Sequence, residues 1–522
     1  MRKKDIISQK IVLSASKFRK KHYLCHAKMM KKYMLIRLTK QVMTKKMLLA
    51  LCFIGTMSHA ADKKIYVLAD IHVMAPSLVD DSSNHLWTDY LSTSKTMQDL
   101  SAQIFDALTD KIILDRPDLV LITGDLTKDS EIESHIYVLN NLTKIKRCGI
   151  PVFVIPGNHD RGWMERALVY VNDTCRAAEM IDNDGFAERY FDYGYGPDTE
   201  RYGETLNYVS EPIPGLTLIG IDSGIWVTYR EGSIDWVCEK AKYAMAKGNQ
   251  VIVMVHHPLM PHYYYQNKIF ELSVAENYEV VREQLVNAGI KIALTGHSHA
   301  SDITRYINSA GKEFFDIGTG SPISYPCDYR VLTFDNNFTK LNITTKSLTE
   351  LSGYKDFPTY AKGRLKESIY NWASKWFRGQ LGDSEDYDLI ISIMSQALSN
   401  AFTLHAIGNE SQNPDAEEQI KLYNDILRHL PDLKFAQTGL VEEISYAMKS
   451  LLGDYPSEEE SDNIVNDREL TIHMPSLADG IMELRSDTDE CSPWFTIQGT
   501  SLSSRPFLPG IYIHEGRKIV IR

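Results

Sequence analysis

Five short segments of this 522-residue chain carry the residue types that hold divalent metal ions. They are Asp70-Ile71-His72, Gly124-Asp125, Gly157-Asn158-His159-Asp160, His256-His257-Pro258 and Gly296-His297-Ser298-His299. Hard carboxylate oxygens mixed with borderline imidazole nitrogens suit first-row metals rather than calcium. Two such ions about 4 Å apart can clamp the oxygens of a phosphate ester and lower the pKa of water until hydroxide is available near neutral pH. A carboxylate can bridge the two ions, whereas a neutral imidazole serves one. Each segment alone is weak: a DxH triplet is common, a GD after a strand is ordinary turn chemistry, and a lone His near a strand end is more often a satisfied polar residue. Five in one chain, each after an apolar run, point to a shared site.

The apolar runs are Ile65 to Ala69, Leu119 to Thr123, Val152 to Ile155, Leu216 to Ile221, Val251 to Val255 and Ile292 to Thr295. Each is rich in β-formers and bounded by Gly, Pro, Asp or Asn, as buried strands are. Between them lie helical patterns at Lys95 to Leu114, Glu131 to Lys146, Ser233 to Ala246 and Ser273 to Ala288. Such alternation predicts an α/β domain with central sheets covered by helices. The carboxyl ends of strands in an α/β sheet converge on one crevice, so the five segments should aim at a common point.

With these motifs in this order, the chain resembles the calcineurin-like metallophosphoesterase family, whose pattern is DxH, GD, GNH(D/E), H and GHxH. The resemblance covers about residues 63 to 346 and leans toward the phosphodiesterase-like branch. It implies a four-layer αββα sandwich and two divalent ions, Mn, Fe or Zn. It further implies that Asp70, His72 and His299 hold one ion, that Asn158, His256 and His297 hold the other, and that Asp125 bridges them. His159 matches the family's non-ligand histidine, a proton donor or charge stabiliser near the leaving group. The H-x-P pattern selects His256 as the ligand and leaves His257 a supporting or structural role. Many relatives carry an Asp three residues after the bridging one, where this chain has Lys128, so Asp129 and Asp160 are the candidates to orient His159. Arg161 is a candidate phosphate-binding group, with ion pairing as its alternative. The run His262-Tyr263-Tyr264-Tyr265 can either wall a pocket or serve packing.

Composition bounds the partners. At 43% hydrophobic and 24% charged residues the chain can build packed cores. Residues 1 to 46 hold fifteen Lys and Arg against Asp5 alone, and the remainder, with 42 basic and 67 acidic residues, carries about −25. A body this acidic repels polyanions, which argues against extended nucleic-acid binding. Lys45 and Lys46, the apolar run Met47 to Ile54 and Ser58-His59-Ala60 form the pattern of a secretory signal, with cleavage expected after Ala60 and initiation expected at Met43. The apolar run is too short to span a bilayer. The product is expected to be exported, periplasmic or secreted. Cys148, Cys175, Cys238, Cys327 and Cys491 lack CxxC spacing and indicate no zinc ribbon.

The expected organisation is a leader and signal over 1–60, the metallophosphoesterase domain over 62–346, a helical C-terminal domain over 350–455, and an acidic loop with a short β-like tail over 456–522. Helices are expected at Tyr360 to Leu381, Asp386 to Ala406, Asp415 to Leu430 and Thr438 to Leu452. The function expected is hydrolysis of a small phosphate ester, a diester or monoester, by a metal-activated hydroxide. The alternatives are an extracellular nuclease and a weakly active or non-catalytic binding protein on the same fold.

Overall fold

The six apolar runs become strands because β-branched and aliphatic side chains fill both faces of a buried sheet. The computed structural model describes residues 62–162, 166–263, 266, 272–275, 277–382, 385–408, 421, 451 and 466–475, and the backbone of 494–496, 501–502, 510–514 and 517–521. The leader, the signal pattern, Tyr264 and Tyr265, and the helices expected at Asp415 to Leu430 and Thr438 to Leu452 lie outside the described residues, apart from Lys421 and Leu451.

In the first sheet β1 (Lys63–Leu68), β2 (Leu119–Ile122) and β3 (Val152–Val154) run parallel. It continues from β1 through β13 (Asp328–Phe334), β14 (Lys340–Ser347) and β15 (Glu469–His473), all antiparallel to their neighbours. The second sheet has a parallel centre of β8 (Leu216–Ile221), β9 (Gln250–Val255), β10 (Ile292–Thr295) and β12 (Glu313–Gly318). The antiparallel strand β11 (Asp302–Ile307) closes one edge, and β7 (Tyr208–Ile213) with β6 (Glu200–Arg201) closes the other. A hairpin of β4 (Leu168–Val171) and β5 (Thr174–Ala177) stands in the long connection after β3.

Side-chain parity divides the second sheet between two cores. Ile252, Met254, Leu294 and Ile317 belong to the cluster that holds the first-sheet residues Val67, Leu121 and Ile122, together with Ile104, Phe105, Val138 and Leu142 from helices Ser101–Asp115 and Ile132–Arg147. Their neighbours Val251, Val253, Val255 and Ala293 face helices Ser233–Ala246 and Tyr278–Asn287. The period-two alternation of a strand produces this division. Truncating Leu294 or Leu121 to Ala, both fully buried, should cost about 2–5 kcal/mol.

Helix Phe357–Leu381 starts at Asp356, whose carboxylate accepts the Thr359 N–H (3.2 Å), with Pro358 in the first turn. Helix Asp388–His405 lays Ile391, Met394, Leu398 and Ala401 against Ala373 and Phe377, a stripe at helical spacing. Among the described residues no helix is long and apolar enough to cross a membrane.

Two expectations change in detail. The helix expected from Lys95 begins only at Ser101, after a 3-10 turn at Gln98–Leu100. Lys95 to Met97 are claimed by another loop instead: Met97 N donates to Ile323 O (2.7 Å), and Ser324 Oγ to Lys95 O (2.9 Å). The helix expected over Ser273 to Ala288 spans Tyr278–Asn287.

Candidate metal centre

The carboxyl ends of β1, β2 and β3 in one sheet and of β9 and β10 in the other meet at one place. Asp70 N donates to Gly124 O (3.0 Å) and His72 N to Asp125 O (2.9 Å), which knits the first two loops together. Gly296 N donates to His256 O (2.9 Å) and knits the other two. Thr123 crosses between the sheets, its carbonyl accepting from His256 Nδ1 (2.9 Å) and its hydroxyl donating to Thr295 O (3.3 Å).

Backbones approach so closely here that two positions exclude any side chain. A Cβ at Gly157 would stand 2.1 Å from Asp125 Oδ1, and one at Gly124 would stand 2.7 Å from Gly157 N. Five of the seven expected ligands lie in the left-handed region: Asp70 (φ 51°), His72 (37°), Asp125 (52°), His297 (67°) and His299 (59°). A non-glycine residue held there costs on the order of 1–3 kcal/mol, and such strain concentrates at functional sites.

The donor atoms converge. His72 Nε2 and His299 Nε2 are 3.0 Å apart, with Asp70 Oδ1 at 3.9 and 3.5 Å from them. Asp125 Oδ2 lies 3.4 Å from His72 Nε2 and 3.3 Å from His256 Nε2. Asn158 Oδ1 lies 3.1 Å from both His256 Nε2 and His297 Nδ1. Because His256 Nδ1 gives its proton to the Thr123 carbonyl, Nε2 is the ring nitrogen that faces the two oxygens. Acceptors crowded in this way repel unless a cation or a proton lies among them, so the residues fit a metal centre. Four overlapping groups have the spacing to hold an ion: Asp70, His72 and His299; Asp70, Asp125 and His256; His72, Asp125 and His159; and His256, His257 and His297.

Electrostatics tell the same story. Burial drives the Asp70 carboxyl up to about 7, against the pull of His256. Burial likewise drives His72 down to about 3, and His297 and His299 well below the usual histidine range. Burial would also raise Asp125, but His256, His159 and His72 together hold it well below the usual carboxylate range. His256 resists burial because Asp125 and Asp70 carry it to about 9. The pocket therefore keeps one carboxylate ionised and demands positive charge beside it.

The remaining candidates separate by their contacts. His159 Nδ1 is 2.6 Å from Lys128 O and 3.0 Å from Asp129 Oδ1, while its backbone N–H donates to Asp125 Oδ1 (2.8 Å). Burial works against its charge, yet Asp125 and Asp129 raise its pKa above the usual value. Asp129 is paired in turn with Lys128 and, at 3.5 Å, with Arg166. Asp160 faces away from His159: it accepts from Thr127 N (2.9 Å), Thr127 Oγ1 (3.1 Å) and Gly157 N (2.9 Å), pinning two ligand loops together. Arg161 is a buried ion-pair partner, with two bonds to Asp222 (3.1 and 2.9 Å) and one to Asn183 (3.1 Å). His257 Nδ1 meets Ser223 Oγ (2.8 Å), and its ring lies 4.4 Å from that of His297.

Several contributors carry no motif. Ser321 Oγ donates to Asp70 O (2.7 Å), and Gln98 donates to the His72 carbonyl. His262 sits buried between Asp302 (2.9 Å) and Asp316 (3.3 Å). Lys95 borders the site from the segment expected to be helical. Only the tertiary contacts reveal these roles.

The family model for the calcineurin-like phosphoesterase matches residues 63–301. No curated protein matches the chain. Among solved structures, a dimetal phosphatase from Danio rerio is 14% identical, with 55% of this chain and 96% of that one covered and a TM-score of 0.38. A predicted phosphoesterase from Streptococcus pneumoniae is 13% identical, covering 55% and 90%, with a TM-score of 0.23. GAP50, the anchor in the inner membrane complex of Plasmodium, is 13% identical, covering 59% and 95%, with a TM-score of 0.29. Likenesses this distant transfer no chemistry.

Proposed function

Because residues 63–301 form a calcineurin-like phosphoesterase domain, which makes the protein a metal-dependent phosphoric ester hydrolase, we propose that it cleaves phosphodiesters at a dinuclear centre. Asp70, His72 and His299 would hold one ion, Asn158, His256 and His297 the other, and Asp125 both. The observation that carries this reading is Asp125 Oδ2, which faces His72 Nε2 at 3.4 Å and His256 Nε2 at 3.3 Å, so that one carboxylate oxygen would be within reach of both imidazole groups' ions. When bound, two divalent ions such as Mn, Fe or Zn would acidify water and offset phosphoryl charge.

The protein's own groups supply orientation and a proton. Gln98 and Ser321 fix the carbonyls of His72 and Asp70, so these ligands are held before substrate arrives. Asp129 and the Lys128 carbonyl fix the Nδ1 proton of His159 and leave Nε2 as the proton-bearing edge available to a leaving oxygen. A diester must expel an alkoxide and gains from that proton, whereas a monoester dianion needs it less. We place this chemistry outside the cytoplasm, on the strength of the signal pattern that ends at Ala60. The complete ligand set speaks against a non-catalytic binding protein.

With Mn²⁺ supplied, bis(4-nitrophenyl) phosphate should be cleaved at a kcat/KM at least comparable with that of 4-nitrophenyl phosphate. A hundredfold preference for the monoester would replace the diesterase reading with a phosphatase.

A further inference from the structure

A cavity of about 320 Å³ opens beside the metal centre, with His297, Ser298 and His299 on one side. Helices Phe357–Leu381 and Asp388–His405 line it through Leu365, Ile369, Trp372 and Phe402. Trp372 is 40% exposed, and its ring lies 6.4 Å from that of Phe402 at a steep angle, so it stands at the rim. Lys95 lines the same cavity, and its place is fixed through its carbonyl by Ser324. Solvent reaches its side chain, yet the surrounding protein keeps its pKa below the ordinary lysine value, against the pull of Asp70 and Asp125. Among the described residues Lys95 has no ion-pair partner.

The helices are held over the centre. Arg364 makes two 3.1 Å bonds to Asp99, and Asn371 donates to Ser92 O (3.0 Å), so the segment that carries Lys95 is tied to the first helix on both sides. At the far helix the His405 ring meets Tyr263 edge-on at 4.7 Å. The space is in the range of a small-molecule pocket, about 300–1,000 Å³.

Resting on the phosphoesterase reading above, we infer that this cavity is the specificity pocket: Lys95 pairs with the anionic oxygen of the phosphate, and the C-terminal helices receive one apolar, alkyl or aryl, arm of the ester. A sugar or other polyol arm laid against Leu365, Ile369 and Phe402 would face side chains that offer it no hydrogen bond, a penalty that disfavours polar arms there. An apolar arm gains instead, by about fourfold for each methylene removed from water. The contribution of the C-terminal helices is thus to select the substrate.

The test uses methyl 4-nitrophenyl phosphate and hexyl 4-nitrophenyl phosphate, which share a leaving group and differ only in the arm. The Mn²⁺-loaded full chain should cleave the hexyl ester with a kcat/KM at least tenfold higher. Trp372→Ala, at a half-open rim where the fold should tolerate it, should lower that ratio at least threefold. Lys95→Met should lower kcat/KM for both esters by tenfold or more while leaving the ratio in place. Cleavage of both esters at equal kcat/KM would overturn the pocket and leave the phosphoesterase reading intact. If neither is cleaved, that reading fails, and calorimetry decides the pocket alone: hexylphosphonate binding tenfold tighter than methylphosphonate upholds it, and equal affinities overturn it.

Discussion

Replacing Asp129 with Asn tests how His159 is armed. The carboxylate lies 3.0 Å from His159 Nδ1, and a charge-assisted hydrogen bond of this kind is worth about 1.5–3 kcal/mol. Asp129 also serves Lys128 and Arg166, so the lower end applies. With about 1.4 kcal/mol per tenfold, kcat should fall roughly tenfold. The Lys128 carbonyl at 2.6 Å still holds the ring, so KM and metal content should change little. Asp129 is one of the groups that raise the His159 pKa. Its loss lowers that pKa, so the proton donor is spent at lower pH and the alkaline limb of the kcat profile moves toward acid. The assay is kcat against pH on a diester with an alkoxide leaving group, repeated with a nitrophenolate leaving group, where the loss should shrink. An unchanged rate and profile on the alkoxide ester, or loss of bound metal, would refute the reasoning.

His159→Ala should retain its metals while kcat on alkoxide esters falls by about 10² to 10⁴, and metal analysis of the variant would expose His159 as a ligand if the ions were lost. Burial opposes the charge of His262, but Asp316 and Asp302 raise its pKa to about 10. The folded value therefore lies above the ordinary one near 6.5, so this stabilisation is complete below that pH and is lost as pH climbs toward 10. The urea midpoint of metal-free protein should drop between pH 7 and 10 and drop less in His262→Gln; equal slopes would remove His262 from the account. Arg161→Ala leaves Asp222 uncompensated beside a guanidinium site only 4% exposed. A loss of about 3–5 kcal/mol in chemical denaturation is expected, and a loss below 1 would mean that Asp222 finds water.

The strands and the ligand loops were legible because apolar runs and ligand types coincide along the chain: Leu119–Ile122 runs straight into Gly124-Asp125, and Ile292–Thr295 into Gly296-His297. What remained hidden depends on distant contacts. Lys95 looks helical by local pattern, yet Ile323 and Ser324 from a loop more than two hundred residues away hold its segment in a bend ahead of the helix. Asp160 and Asp129 are equal candidates by spacing, and only the third dimension turns one to backbone amides and the other to His159. Arg161 reads equally as a phosphate-binding group or an ion-pair partner, and only the fold brings Asp222, sixty-one residues on, to its guanidinium. Residues Glu469–His473 likewise give no local sign that they complete the first sheet beside β14.

The most direct measurement is metal stoichiometry by plasma mass spectrometry on the purified chain reconstituted with Mn²⁺, paired with hydrolysis of bis(4-nitrophenyl) phosphate, for the native chain and Asp125→Asn. The account predicts two ions per native chain, activity abolished by chelation, and loss of both ions and rate in the variant, because one oxygen faces both imidazole sets. Two ions and full rate retained by Asp125→Asn, or hydrolysis by the native chain that persists after every ion is removed, would contradict it.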